Sequence, residues 1–442
     1  MTLHMVFIKS GTMAQTVLGG LAVVLVGVAG FLLLHRPPEV KSMTVVPPVV
    51  QSSNLAYEAL PFGDALQGRP WIVNVAIVDL DQDGLPDVLA CDAQTNSIRW
   101  IRQYPRGTYT ERQIGGTVNA PVHVAVFDLT RSGRLDVLVA CLGQIFPSND
   151  KVGSVVVLEN LGQGEFRQHT VIDHIPRVSD VRGGDLDGDG KPDLVVGEFG
   201  YDQAEVRWMK NLGDWKFESH IVNVQSGTIH TPIVDLDRSG RPDFLALISQ
   251  EFEEIHRFRN LGNGRFEDIV LWGSTNEDYG SSGLTVADVN GDGRPDIIYT
   301  NGDAFDYARP GPRPWHGIQW IENRGKDDFV FHRVADLPGA FSPCAADLDG
   351  DGTVDLLAVS GFNNWSDPAA VSMMAWLNDG HQHFSPVVLA HTPTHLITAA
   401  VGDLDGDGVP EIVTGGFHAY PPFNHMSRLL LWKRKVPGPA RR

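Results

Sequence analysis

The sequence predicts an all-β chain, a seven-bladed β-propeller with four-stranded blades preceded by one transmembrane helix. Three observations carry the propeller. A nine-residue acidic unit recurs seven times, a glycine-rich turn follows it downstream in most repeats, and one strand-like segment near the N-terminus has no blade of its own.

Along the chain, the first element is Val17 to Leu34, a run of 18 residues without a charge. It exceeds the roughly 7–15 residues of a signal h-region and just reaches the length of a span, which favours an uncleaved anchor. The alternative is secretion after cleavage near Gly27-Val-Ala29. Residues 1–16 are then a cytoplasmic tail, 17–34 the anchor, and 35–53 a Pro- and Val-rich stalk. The propeller follows over 54–436, with a polar tail over 437–442. Flanking charges leave orientation open, because Lys9 precedes the run while Arg36 and Lys41 follow it.

The acidic unit reads DLDQDGLPD from Asp79, DLTRSGRLD from Asp128, DLDGDGKPD from Asp185 and DLDRSGRPD from Asp235. It continues as DVNGDGRPD from Asp288, DLDGDGTVD from Asp347 and DLDGDGVPE from Asp403. Six intervals take the first Asp from 79 to 403, a mean of 54 residues, which is room for four short strands. Apolar β-branched stretches flank each unit, such as VNVAIV before Asp79 and DLLAVSG from Asp355, so the unit joins strands A and B. Downstream, NLGQGEF from Asn160 to Phe166 recurs from Asn211, Asn260, Asn323 and Asn378, always with an aromatic six residues after the Asn. Gln103 and Tyr109 keep that spacing in unit one. Strands such as IRWI and FRQHTVI flank this turn as C and D, and four strands per repeat make a propeller blade. Unit seven ends at Leu429-Leu-Leu-Trp432-Lys433 without a D strand, so Leu55 to Phe62 is predicted to complete blade seven and close the ring.

Composition narrows the function. A chain of 442 residues buries a large core without staples, and three cysteines, Cys91, Cys141 and Cys344, make neither a disulfide framework nor a cysteine zinc site. A net charge of −19 argues against nucleic acid as partner. Hydrophobic content of 42% excludes a polytopic membrane protein and a disordered chain.

In D-x-D-x-D-G-x-x-D, oxygens at positions 1, 3, 5 and 9 converge while Gly at position 6 permits the sharp turn. Hard oxygen ligands in that number suit Ca²⁺ better than Zn²⁺. The expected ligands are Asp79, Asp81, Asp83 and Asp87; Asp185, Asp187, Asp189 and Asp193; and Asp235, Asp237, Ser239 and Asp243. The later loops add Asp288, Asn290, Asp292 and Asp296; Asp347, Asp349, Asp351 and Asp355; and Asp403, Asp405, Asp407 and Glu411. Loop two, with Asp128, Thr130, Ser132 and Asp136 crowded by Arg131 and Arg134, is expected empty or weak, giving about six or seven calcium sites. An EF-hand is excluded, since position 12 would be Ala90 or Val196 and flanking helices are missing. These loops hold 24 of the 54 acidic residues, so the acidity is metal-site charge rather than a diffuse acidic surface.

The D-x-D-G-D-G-x-x-D spacing, the strand after it and the N-x-G-x-G-x-F turn resemble the FG-GAP/VCBS-type repeats of integrin-alpha-like propellers and bacterial surface proteins, over about Leu55 to Lys435. The resemblance implies the propeller fold and calcium in A–B loops on one face. It leaves function open among adhesion, carbohydrate binding, scaffolding and polysaccharide cleavage.

With A–B loops and C–D turns on one face, the B–C loops fall on the other, and four are long and aromatic: LGQIFPSNDKVG from Leu142, DAFDYARPGPRPWHG from Asp303, GFNNWSDPAA from Gly361 and GGFHAYPPFNHM from Gly415. Trp315, His316, Trp365, His418 and Tyr420 on these loops are candidates for glycan or protein recognition. Five residues before each first Asp, strand A begins on that face with Asn74, His123, Asp180, His230, Gly283, Ser342 and Thr398, which would ring the channel mouth. G-x-S-x-G, P-loop and H-E-x-x-H motifs do not occur. The expectation is a membrane-anchored, extracytoplasmic calcium-binding module for a glycan or a cell-envelope protein. The alternative is a polysaccharide lyase or hydrolase working through His123, Asp180 and His230.

Overall fold

The computed structural model describes residues 55–435 except 306, 308 and 309, and every element among them is a β-strand. The expected anchor, stalk and C-terminal tail lie outside the described residues. Seven antiparallel sheets follow one another over 72–117, 121–175, 178–223, 228–273, 281–336, 340–390 and 396–434. Consecutive strands are neighbours in each, so every blade is a meander; blade one runs Ile72–Val78, Asp87–Asp92, Ser97–Gln103 and Tyr109–Thr117. In blade four, strand A is split into Thr228–His230 and Ile233–Val234, both paired with strand B. Pro232 has no N–H for the ladder, and the Thr231 N–H turns away to Asp180 on the preceding blade.

The ring closes as the sequence predicts. Blade seven takes Leu396–Gly402, Glu411–Gly416 and Leu429–Arg434 from the C-terminus, and Tyr57–Pro61 pairs antiparallel with the last of these, Tyr57 opposite Arg434 and Pro61 opposite Leu430. A proline is tolerated there because the outermost strand needs no partner on its far side.

Burial is greatest in the second strand of each blade. All seven B strands are buried at every residue, because both of their faces pack on neighbouring blades. This is why they read as unbroken apolar runs such as DVLVAC rather than as alternating ones. The D strands sit outermost and alternate, as in Lys216–Asn223. Each seam between blades holds its own apolar cluster: Leu89, Trp100, Val137 and Val139 fill the first, and Phe62, Ile72, Val413 and Leu431 fill the one that closes the ring.

The second repeat is a latch across these seams. The Asn323 side-chain amide donates both to Pro295 O of its own loop and to Leu236 O of the preceding blade, each at 3.0 Å. Asn160, Asn260 and Asn378 bridge to Leu80 O, Leu186 O and Val289 O in the same way, and Gln103 reaches Leu404 O across the closing seam at 2.9 Å. The carbonyl taken is that of the second residue of the neighbouring acidic unit. The two sequence repeats thus form one interlocked structural unit.

Candidate functional site

Each acidic loop is wound by its own first Asp. Asp79 accepts the N–H groups of Asp83 and Gly84 at 3.0 and 2.8 Å, and Asp235, Asp347 and Asp403 repeat the pattern. The sixth-position glycines all adopt left-handed φ, from +77° at Gly240 to +90° at Gly352, which explains the invariant glycine among the seven copies. The ninth-position carboxylate is buried and joins loop to blade: Asp87 accepts from Leu80 N, from the Gln103 backbone N at 2.8 Å and from the Trp100 indole at 2.9 Å.

Three carboxylates bring oxygens within 4.8 Å of one another in four loops: Asp79, Asp81 and Asp87; Asp185, Asp187 and Asp193; Asp347, Asp349 and Asp351; and Asp403, Asp405 and Glu411. In loops one, three and seven the fifth-position group, Asp83, Asp189 or Asp407, stands outside the trio; in loop six the ninth-position Asp355 stands outside instead, its oxygens accepting Leu348 N and Asn378 N at 2.8 Å. Among the described residues, loops two, four and five form no such trio. In loop two, Thr130 Oγ1 bonds both Ser132 and Asp136 at 3.2 Å, so hydroxyls close it. In loop five, Asp292 pairs with Arg294, and Asp288 accepts Asp292 N and Gly293 N, while Asn290 caps Asp292 N and Asp296 holds Val289 N.

The four convergent loops fit a hard cation. One oxygen each of Asp81 and Asp405 is buried without a hydrogen-bond partner, a cost that a coordinated ion would remove. Burial pushes Asp87 and Asp355 up to about 6 and Glu411 up to about 7, and the neighbouring loop carboxylates add to each. A bound cation would reverse that crowding. Side-chain cations stand at the rim: Arg102 on Asp81 and Asp83, Lys210 on Asp187 and Asp189, and Lys433 on Asp405.

On the opposite face the predicted ring forms. Asn74, His123, His230, Gly283, Ser342 and Thr398 line one cavity of about 320 Å³ at the channel mouth. Three of its polar members are spent on neighbouring blades. Asn74 accepts Val124 N at 3.1 Å, Thr398 accepts Val75 N at 3.0 Å, and Ser342 exchanges bonds with Ala399 at 2.9 and 3.1 Å. Glycine stands at 283 because a Cβ there would come within 2.6 Å of Pro343 in the next blade.

Asp180 lies fully buried behind the ring, with His123 Nδ1 at 2.8 Å, Arg182 Nε at 3.0 Å and Thr231 N at 2.7 Å. Burial alone would raise its pKa, but Arg182 and His123 hold it well below the usual carboxylate range. Arg182 Nη2 also lies 3.0 Å from His123 Nε2, so that nitrogen accepts and Nδ1–H points at Asp180. Burial pushes His123 down to about 4, despite the favourable charge of Asp180. His123, Asp180 and His230 bring ligand atoms within 4.8 Å, but the Arg182 guanidinium already supplies the cation there. The trio brings together blades two, three and four.

The other candidates lie outside the cavity. His316 is 1% exposed and its Nδ1 accepts Gly339 N at 3.1 Å; His418 is buried against Ser427, and Trp315 Nε1 donates to Asp278 O at 2.8 Å. Trp365 packs on His395 at 5.4 Å, and Tyr420 joins the Phe305 and Phe362 rings. The cavity wall is instead built by Ile145, Phe146, Phe199, Phe305, Phe341 and Phe417. Four of the six sit in or beside the aromatic B–C segments that the sequence marks, but sequence alone gives no sign of which aromatic points inward.

The FG-GAP-like repeat family matches residues 70–139, 185–246 and 235–299. No curated protein matches the chain. Among solved structures, the crystal structure of BBS1N in complex with ARL6DN, soaked with lead, is similar at TM-score 0.51 and 10% identity, covering 86% of this chain and 97% of that one. That likeness speaks to the fold alone. The FG-GAP-like repeats matched over 70–139 and 185–299, the seven blades and the acidic A–B loops together fit an FG-GAP repeat β-propeller.

Proposed function

We propose that this chain is a membrane-anchored, extracytoplasmic binding module, with calcium in its acidic loops and a partner docked on the opposite face. The cavity at the channel mouth carries the reading, because all seven blades contribute to it and its wall is largely aromatic and aliphatic. Phe146 is 40% exposed at its rim. Since Asn74, Ser342 and Thr398 bond neighbouring blades, the largely apolar wall is what meets a partner, favouring a protein side chain from the cell envelope over a glycan. The enzyme alternative gains nothing from His123, whose two ring nitrogens face Asp180 and Arg182.

Orientation follows from calcium. Cytosolic levels lie far below the dissociation constants of about 10⁻⁴–10⁻³ M typical of extracellular modules, so these loops would stand empty and self-repelling inside a cell. Protease added to intact spheroplasts should digest the propeller; a protected propeller reverses the topology. A screen of envelope proteins and oligosaccharides against the purified chain should return a partner whose affinity falls at least tenfold on Phe146→Ser. Binding that ignores this substitution places the site elsewhere.

A further inference from the structure

Loop four differs from its neighbours in what fills it. In blades one and three the C-strand residue three places before the latch is a tryptophan whose indole donates to the ninth-position carboxylate, Trp100 to Asp87 at 2.9 Å and Trp208 to Asp193 at 3.0 Å. Blade four carries Arg257 at that place. Its Nε and Nη2 lie 2.8 and 2.5 Å from Asp243 Oδ2, and Nη2 is also 2.6 Å from Asp237 Oδ2. Nη1 reaches Asp327 of blade five at 2.8 Å. The third- and ninth-position carboxylates therefore share one fixed guanidinium.

We infer that Arg257 is a built-in cation standing where calcium would sit in loop four, so that blade four takes no metal and locks to blade five without it. The inference rests on the calcium reading of the other loops and separates this loop from them. A guanidinium stays charged at every pH the fold survives, and its planar fork satisfies two carboxylates at once. A divalent ion placed between Asp237 and Asp243 would lie against that charge, so Arg257 would have to leave. It has no easy way out. The Arg257 side chain is 1% exposed, whereas those of Arg102, Lys210 and Lys433 are 35%, 29% and 36% exposed and can swing into water when an ion arrives. Removing Arg257 from its site would also break the contact with Asp327 and leave buried Asp243 uncompensated. Loop four has Ser239 at its fifth position, one carboxylate fewer to pull an ion in.

The test is the calcium stoichiometry of the purified full chain, by elemental analysis and by titration calorimetry, for wild type, Asp187→Asn, Asp237→Asn and Arg257→Trp. Asp187→Asn should lower the count by one ion, and Asp237→Asn should leave it unchanged. Arg257→Trp, which installs the residue found in blades one and three, should raise it by one. Hydrogen exchange gives a second readout on wild type alone: chelator should speed exchange over 185–193 at least tenfold and leave 235–243 within twofold. One ion lost on Asp237→Asn, or chelator-sensitive exchange over 235–243, overturns the assignment of Arg257. A chain that binds no calcium at all overturns the calcium reading of the other loops instead.

Discussion

Asn323 shows how one side chain serves two blades. It is 1% exposed, and its amide donors are divided between Pro295 O and Leu236 O, so truncation orphans one buried and one half-buried carbonyl. Asn323→Ala should cost about 1–3 kcal/mol, read as a lower urea midpoint at unchanged m. Asn323→Asp should cost more, since it turns an acceptor toward both carbonyls. At the fourth position of the acidic loops the backbone is left-handed whether or not glycine is present: Gly188 and Gly350 have φ of +79° and +86°, but Gln82 is held at +59°. Gln82→Gly should therefore stabilise the chain by up to about 1 kcal/mol, and a fall in melting temperature would contradict the strain. Burial pushes His123, His395 and His418 down to about 4 and His316 down to about 3. Below pH 6.5 the unfolded chain binds protons that these folded histidines refuse, so their contribution to stability is lost as pH falls toward 4. Glu198 and Glu253, pushed up to about 7 by burial, work in the opposite direction, since their folded forms take up protons first. The difference between His316→Asn and wild type isolates one histidine. The variant's melting temperature should fall less steeply between pH 6.5 and 4; parallel curves would show that His316 is not the source.

The A–B loop was legible as an element because everything that shapes it is local. The first Asp, the sixth Gly and the ninth carboxylate act within nine residues, and their spacing states the turn directly. At dissociation constants of about 10⁻⁴–10⁻³ M and millimolar calcium, each occupied loop adds roughly 0.4–1.4 kcal/mol, so four convergent loops add about 2–6 kcal/mol. Chelation should lower the melting temperature accordingly. Asp405→Asn, which removes a carboxylate whose oxygen is orphaned in loop seven, should shrink that drop by one loop's share. An unchanged melting curve in excess chelator would remove calcium from the account. The B–C loops were less legible, because their order comes from contacts between blades. Phe305 packs on Phe362 at 4.8 Å and on Phe417 at 5.3 Å, from three different blades, and no spacing within one loop encodes that meeting.

For the molecule as a whole, closure is the step on which the other seams depend. Tyr57–Pro61 covers the edge of Leu429–Arg434, and Leu55 and Tyr57 enter the cluster between blades six and seven. A chain beginning at Pro70 uncovers that edge and should aggregate, while one lacking only Met1 to Pro48 should stay soluble. Equal stability of the two would show that the strand is dispensable. Arg428 adds a fastening at the neighbouring seam between blades seven and one, its guanidinium 2.6 Å from Glu111 of blade one.

What the sequence determined by itself was the periodic part: seven blades, the strand order within each, the acidic turns and the borrowed strand. Each follows from short-range spacing repeated often enough to exclude accident. Tertiary structure decided which of these residues act on one another. It made the Asn of the second repeat a latch, joined His123 to Asp180 across a seam, placed Arg257 inside loop four, and drew Phe146, Phe305 and Phe417 to one cavity. These meetings join residues tens to hundreds of positions apart on separate blades, and only closure of the ring fixes the distances between them.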